Sequence, residues 1–255
     1  MRLAGLSTTA AALALLLLAG CGSRPSSVPA HRHVLAAKVQ RCTAGELRPL
    51  GSAVKAYVGV APHGAAAYSA PGGELVARFG PKNVNGYPTV FGVTGAVARA
   101  NCTPSWFHVE LPMKPNGATA FVRASSLELQ TVDTRIEVDL SARTLKLFRH
   151  GRPALAATVA VGSPATPTPI GRYYVNQRLI PSDPGGPYGP AAIGVSAFST
   201  VLTGWAQGGP IAIHGTNEPW SIGHAVSNGC IRLPNATLSR LFELAVAGTP
   251  VIIHP

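Results

Sequence analysis

Beyond Thr131 apolar and polar residues alternate with a period of two. Ile136, Val138 and Leu140 alternate with Glu137 and Asp139, and Leu145 and Leu147 flank Lys146. This alternation predicts antiparallel strands with one buried face, and His150-Gly151 marks a turn between two of them. Apolar runs at Ile193–Ser196, Ile211–Ile213 and Val251–Ile253 read as further strands. One stretch has helical spacing instead: Leu238, Leu241, Phe242 and Ala245 share a face, with Asn235 at the N-cap position and Gly248 as the stop. Between Lys38 and Leu129 short apolar runs (AYVGVA, AAAYSA, LVARFG, TVFGVT, WFHVEL, TAFVRA) are broken by Gly, Pro and Asn. They predict a small β domain of five or six strands, with Pro115-Asn116-Gly117 turning between the last two. The fold class is mainly β with one late helix.

The N-terminus has a different pattern. Arg2 precedes an unbroken apolar run from Ala10 to Ala19, too short for a permanent bilayer span and followed by small residues. That is the form of an export signal. Leu18-Ala19-Gly20-Cys21 resembles the lipobox of bacterial lipoproteins, in which the cysteine becomes the lipidated first residue. The chain then divides into a lipoprotein signal peptide at 1–20, a Ser/Pro/Arg-rich flexible linker at 21–36, a β domain at 37–129 and a second domain at 131–255. Cys21 is the expected lipid anchor, which puts the protein on the outer face of the cell membrane or in the wall.

The 255 residues carry 21 Lys and Arg against 10 Asp and Glu, a formal charge of +11. An exported chain of this charge is drawn to anionic lipids and wall polymers. Nucleic acid is excluded as a partner by the export signal and by the lack of a basic-aromatic binding motif. The abundance of Ala, Gly, Pro and Arg points to a GC-rich bacterial genome.

Four cysteines are present. With Cys21 assigned to lipid, Cys42 and Cys102 fall in one segment and a disulfide between them is the economical arrangement in an oxidising compartment, two separate buried thiols being the alternative. Cys230 is left over, and an unpaired cysteine in an exported chain is a candidate reactive thiol. His214, 16 positions upstream at the end of an apolar strand, is a candidate base that would draw off the thiol proton and give an imidazolium–thiolate pair. Asn228, Gly229 and Cys230 present consecutive N–H groups for an oxyanion hole. A zinc site from His214, His224 and Cys230 lacks any HExxH or CxxC spacing, and a sortase-like site would place its histidine much farther upstream.

Two resemblances refine this picture. AYSAPGGELVARFG and WFHVELPMKPNGATAFVRASSLEL resemble bacterial SH3-like domains, which implies wall-peptide binding or packing against a partner domain. IHGTNEPWSIGHAVSNGCIRL, with TPTPIGRYYV and GVSAFS, resembles the active-site segments of the L,D-transpeptidase (YkuD-type) family over Thr131 to Pro255. The whole would then be an actinobacterial-like lipoprotein with an N-terminal SH3-like domain and a β-sandwich-like catalytic domain.

The second resemblance implies Cys230 as nucleophile, His214 as base and the Gly215 carbonyl as the group that orients it. It implies substrate contacts from Arg232, whose cation would meet a substrate carboxylate, and from Ser227, Thr216, Asn228 and Gly229. Apart from the resemblance, Tyr188 is a candidate to line the cleft, with core or loop packing as the alternative. The resemblance implies no metal and no cofactor. The substrates would be peptidoglycan stem peptides joined through a cysteine thioester with release of D-Ala, and β-lactams of the carbapenem class would be inhibitors. L,D-carboxypeptidase activity, or a degenerate wall-binding domain, are the alternatives. The family usually has histidine before Gly-Cys; here Asn228 stands there, able to hydrogen-bond but not to carry a proton.

Overall fold

A computed structural model of the chain describes residues 42–255. The signal segment, Cys21 and the linker lie outside the described residues. Eight strands form an antiparallel N-terminal sheet: β1 (Leu47–Pro49), β2 (Ala56–Val60), β3 (Ala65–Tyr68), β4 (Leu75–Phe79), β5 (Val90–Ala98), β6 (Pro104–Glu110), β7 (Thr119–Arg123) and β8 (Glu128–Val132). Their order is β4-β3-β7-β6-β5-β2-β8, and β1 continues along the edge of β5 beyond β2. The two strands beyond the expected six, β1 and β8, are mostly exposed. They are held by ladder hydrogen bonds rather than by an apolar face, so no alternation marks them. Cys42 and Cys102 are joined in a disulfide.

The second sheet follows after one intervening residue. Its chain order is β9 (Thr134–Asp139), β10 (Thr144–Arg149), β11 (Arg152–Thr158), β12 (Val161–Gly162), β13 (Gly171–Leu179), β14 (Ala192–Phe198), β15 (Pro210–His214), β16 (Ala225–Ser227), β17 (Ile231–Arg232), helix α1 (Asn235–Leu244) and β18 (Pro250–His254). The spatial order is β11-β10-β9-β18-β13-β14-β15-β17, while β12 and β16 form a small parallel pair of their own. The alternation on β9 and β10 is realised in register: Val138 faces Leu145 and Ile136 faces Leu147, and Val251 and Ile253 of β18 lie beside them in parallel. All six are essentially fully buried, with Leu238 and Leu241 of α1 in the same core. Each such side chain contributes about 1.5–3 kcal/mol through burial.

The ends of α1 differ from the sequence reading. Asn235 is the first helical residue rather than the cap, Pro234 takes the cap position without a side-chain bond, and the helix closes at Ala245. Asn235 is diverted because its Oδ1 accepts the Thr216 N–H at 2.8 Å. Gly248 lies past the helix, in the turn that leads into β18.

The two sheets are joined by buried contacts. Tyr174 of β13 packs with Val58, Val90 and Val132 and donates its hydroxyl to the Val90 carbonyl at 3.1 Å. Asn116, in the turn after β6, brackets the Phe198 backbone, donating to its carbonyl and accepting from its N–H. Asn83 and Asn85 both donate to the Gln177 side chain.

Gly248 sits at the same junction with φ +85°, and a Cβ there would overlap the Val58 side chain. Gly248→Ala combines a strained backbone with overpacking and is expected to lower stability by about 2–4 kcal/mol. Urea unfolding of the two proteins checks this, with an unchanged midpoint as the contrary result.

Candidate active site

The site is built on the parallel pairing of β15 with the two-residue β17, in which Ile213 lies opposite Ile231 and His214 opposite Arg232. Side chains alternate across a strand. Ile211, Ile213, Ile231 and Leu233 turn into the core and are at most 1% exposed, so His214, Cys230 and Arg232 share the other face. The Leu233 N–H donates to the His214 carbonyl, and Ala160 and Arg232 exchange backbone bonds at 2.9 Å, fixing β17 between two neighbours.

His214 is buried, with its Nδ1 2.6 Å from the Gly215 carbonyl. A carbonyl can only accept, so Nδ1 carries the proton and the neutral ring presents a bare Nε2. Burial lowers the imidazole from 6.5 to about 4, the Gly215 carbonyl opposes that shift, and the Arg232 charge adds to it. Tyr188, half exposed, stands edge-on to the ring with centroids 5.0 Å apart.

Cys230 is free and partly buried. Burial raises its thiol, while the Ala212 backbone N–H and the Arg232 charge pull it back. Burial therefore favours the neutral form of both groups. Among the described residues no hydrogen bond joins the thiol to the imidazole. Burial thus weighs against both charges of the imidazolium–thiolate pair expected from the sequence.

The turn before the cysteine is braced from several sides. Ser227 Oγ donates to the Cys230 carbonyl at 2.6 Å and accepts the Gly229 N–H at 3.1 Å. The Gly229 N–H, one of the three expected to face an oxyanion, is thereby engaged within the turn. Gly229 itself has φ +109°, a conformation that favours glycine. Thr166 and Thr168, from the loop after β12, donate to the Ser227 and Gly229 carbonyls, each at 2.9 Å. Thr168 Oγ1 also accepts the Gly162 N–H. The sequence reading assigned these threonines no role; the repeated Thr-Pro of TPTPIG was the available signal.

The remaining candidates are spread around this core. Asn228 and His224 are exposed, and the Asn228 side chain makes no hydrogen bond among the described residues. Thr216 accepts the Glu218 N–H, and Glu218 in turn ion-pairs with Arg232 at 2.6 Å. The guanidinium expected to await a substrate carboxylate thus already holds one from the chain itself, and its Nε is buried without a partner. Glu218 was not singled out from sequence.

Residues 133–253 match the model of the YkuD L,D-transpeptidase catalytic domain. The chain is 39% identical over 125 residues to the putative L,D-transpeptidase YkuD of Bacillus licheniformis, covering 49% of this chain and 68% of that one. It is 38% identical over 124 residues to the Bacillus subtilis YkuD, with the same coverage. Among solved structures, the Enterococcus faecium L,D-transpeptidase C442S mutant aligns at 26% identity over 48% of this chain and 49% of that one, with a TM-score of 0.37.

Thr168→Val keeps the side-chain shape but leaves the Gly162 N–H and the Gly229 carbonyl without their partner. Stability should fall by about 1–3 kcal/mol, the usual cost of orphaned buried polar groups. Thiol labelling of Cys230 should also change rate, since the turn is freed. Parent-like values for both measurements would remove Thr168 from the site's support.

Proposed function

Because the chain belongs to the YkuD family of L,D-transpeptidases, we propose that it remodels peptidoglycan through a thioester on Cys230. The acyl donor in this reading is a stem tetrapeptide. The Cys230 sulfur attacks the carbonyl of the third residue, a diamino acid, as His214 Nε2 takes the thiol proton. The new S–C bond gives a tetrahedral oxyanion, received by the Cys230 and Asn228 N–H groups. Its collapse breaks the C–N bond to the terminal D-Ala, whose amine leaves with the proton from His214. A side-chain amine of another stem then attacks the thioester, forming the cross-link and returning the thiol. Water in place of the amine gives L,D-carboxypeptidase activity.

The observation that carries the reading is the placement of His214 and Cys230 on one face of paired strands, with the Gly215 carbonyl holding the tautomer that leaves Nε2 bare. With burial favouring the neutral form of both groups, proton transfer in this reading accompanies attack instead of preceding it. Arg232 acts here by its charge, which favours sulfur anion as the bond forms, and Glu218 holds it in place. In the same reading residues 37–129 form an SH3-like module ahead of the catalytic segment 131–255, and Cys21 carries the lipid.

The test is acylation of Cys230 by a carbapenem, followed by intact mass and peptide mapping. Cys230→Ala should give no adduct. His214→Ala should slow acylation about a hundredfold or more, the scale of a lost general base. Asn228→Ala should be mild, because its backbone N–H survives, and Asn228→His should react at least as fast. The parent rate should stay nearly flat between about pH 5.5 and 7.5 and fall as the imidazole protonates near pH 4. A tenfold rise per pH unit, the mark of free thiolate reacting alone, would overturn the concerted base. An unmodified Cys230 after long incubation would overturn the nucleophile.

Anchoring is tested separately. Cys21→Ser should move the protein from the membrane fraction to the soluble fraction and abolish lipid labelling; unchanged fractionation sinks the lipobox assignment.

A further inference from the structure

A cleft of about 440 Å³ opens between the two sheets, away from the site just described. β2, β5 and β6 line one side, and β9, β13 and β18 line the other. Neither Cys230 nor His214 borders it. Its volume falls within the range of about 300–1,000 Å³ that small-ligand pockets occupy.

The charges around the cleft are unevenly matched. Asp133 is taken by His150 at 2.9 Å and Arg149 at 3.5 Å. Arg135 is taken by Glu137 at 2.8 Å and by the Ala53 carbonyl. Glu110, Arg172 and Lys55 have no ion-pair partner within 4 Å among the described residues. The remaining titratable groups are phenols. Those of Tyr173 and Tyr174 are bound to the Ile170 and Val90 carbonyls, and Tyr57 completes the wall.

Glu110 is the unusual member. Its Oε2 lies over Gly92 beside the Tyr174 ring, so close that a Cβ on Gly92 would sit 2.7 Å from the oxygen and 2.9 Å from the ring. The position is mostly apolar, and burial raises the carboxyl to about 7, with Arg172 pulling weakly the other way. A half-buried carboxylate with no hydrogen-bond partner is costly unless a cation reaches it. Arg172, exposed on the same cleft, and Lys55 offer the opposite charge.

We propose that this cleft is a second ligand site, taking a small zwitterion whose ammonium meets Glu110 and whose carboxylate meets Arg172. Amino acids and short peptides carry that pair of charges and suit the volume. The site is independent of the chemistry at Cys230.

The probe is D-alanyl-D-alanine, titrated into the full protein and followed by NMR and calorimetry, with N-acetyl-D-alanine and D-alanine amide as single-charge controls. The dipeptide should bind saturably and shift resonances of Tyr173 and Tyr174. E110Q and R172Q should each weaken binding about tenfold or more, the scale of a lost charge-assisted hydrogen bond. Both controls should bind more weakly than the dipeptide. Affinity in the parent should fall as pH drops through about 7, where Glu110 loses its charge, and this dependence should vanish in E110Q. R172Q lies at an exposed position, so it reports on the site even if E110Q folds poorly. Absence of saturable binding, parent-like affinity in both variants, or shifts confined to the Cys230 face would overturn the proposal, whatever the carbapenem experiment shows.

Discussion

The parallel register between β15 and β17 is the constraint on which the candidate site depends. Two residues of pairing are little structure, yet they decide which side chains face the core and which share the face of His214. Sliding β17 by one residue would send Ile231 outward and bury Cys230, because the side-chain period of a strand is two. The register is therefore held from outside the pair: by Ala160 on the far edge of β17, by Ser227 beneath the cysteine and by the two threonines that reach the same turn. Much of the polar chemistry near Cys230 serves to hold it in position.

Burial then sets the electrostatics. A thiol and an imidazole taken out of water both prefer to be neutral, and Arg232 opposes protonation of the ring while favouring the sulfur anion. The imidazole also affects stability. With its folded value near 4 and its free value near 6.5, the native state loses stability as pH falls across that interval, because only the unfolded chain gains the proton. The neutral base is thus compatible with stability above that interval.

Legibility in the sequence follows physical range. The period-two runs of β9, β10 and β18 and the apolar face of α1 were readable because burial writes itself into neighbouring residues. The chemically distinctive pieces, an odd cysteine after glycine and a histidine ending an apolar strand, were readable for the same reason. What could not be read were relations across space. Glu218 seizes Arg232 because a loop folds back. Asn235 leaves the helix cap because Thr216 presents an unpaired N–H. Thr166 and Thr168 matter only because their loop passes over the turn at residues 227–230, about sixty positions away in the chain. The shift of both the thiol and the imidazole toward their neutral forms comes from burial, which no local pattern reports.

The junction between the sheets has a thermodynamic consequence. The Tyr174 phenol, the Phe198 backbone and the Gln177 side chain of the second sheet all find their partners in the first. A chain begun at Thr131 would carry these groups to a surface built to be covered, together with the apolar side chains around Tyr174. The two halves are therefore expected to melt together: heat that loosens the N-terminal strands should also remove the floor beneath β13, the strand that connects that floor through β14 to the histidine.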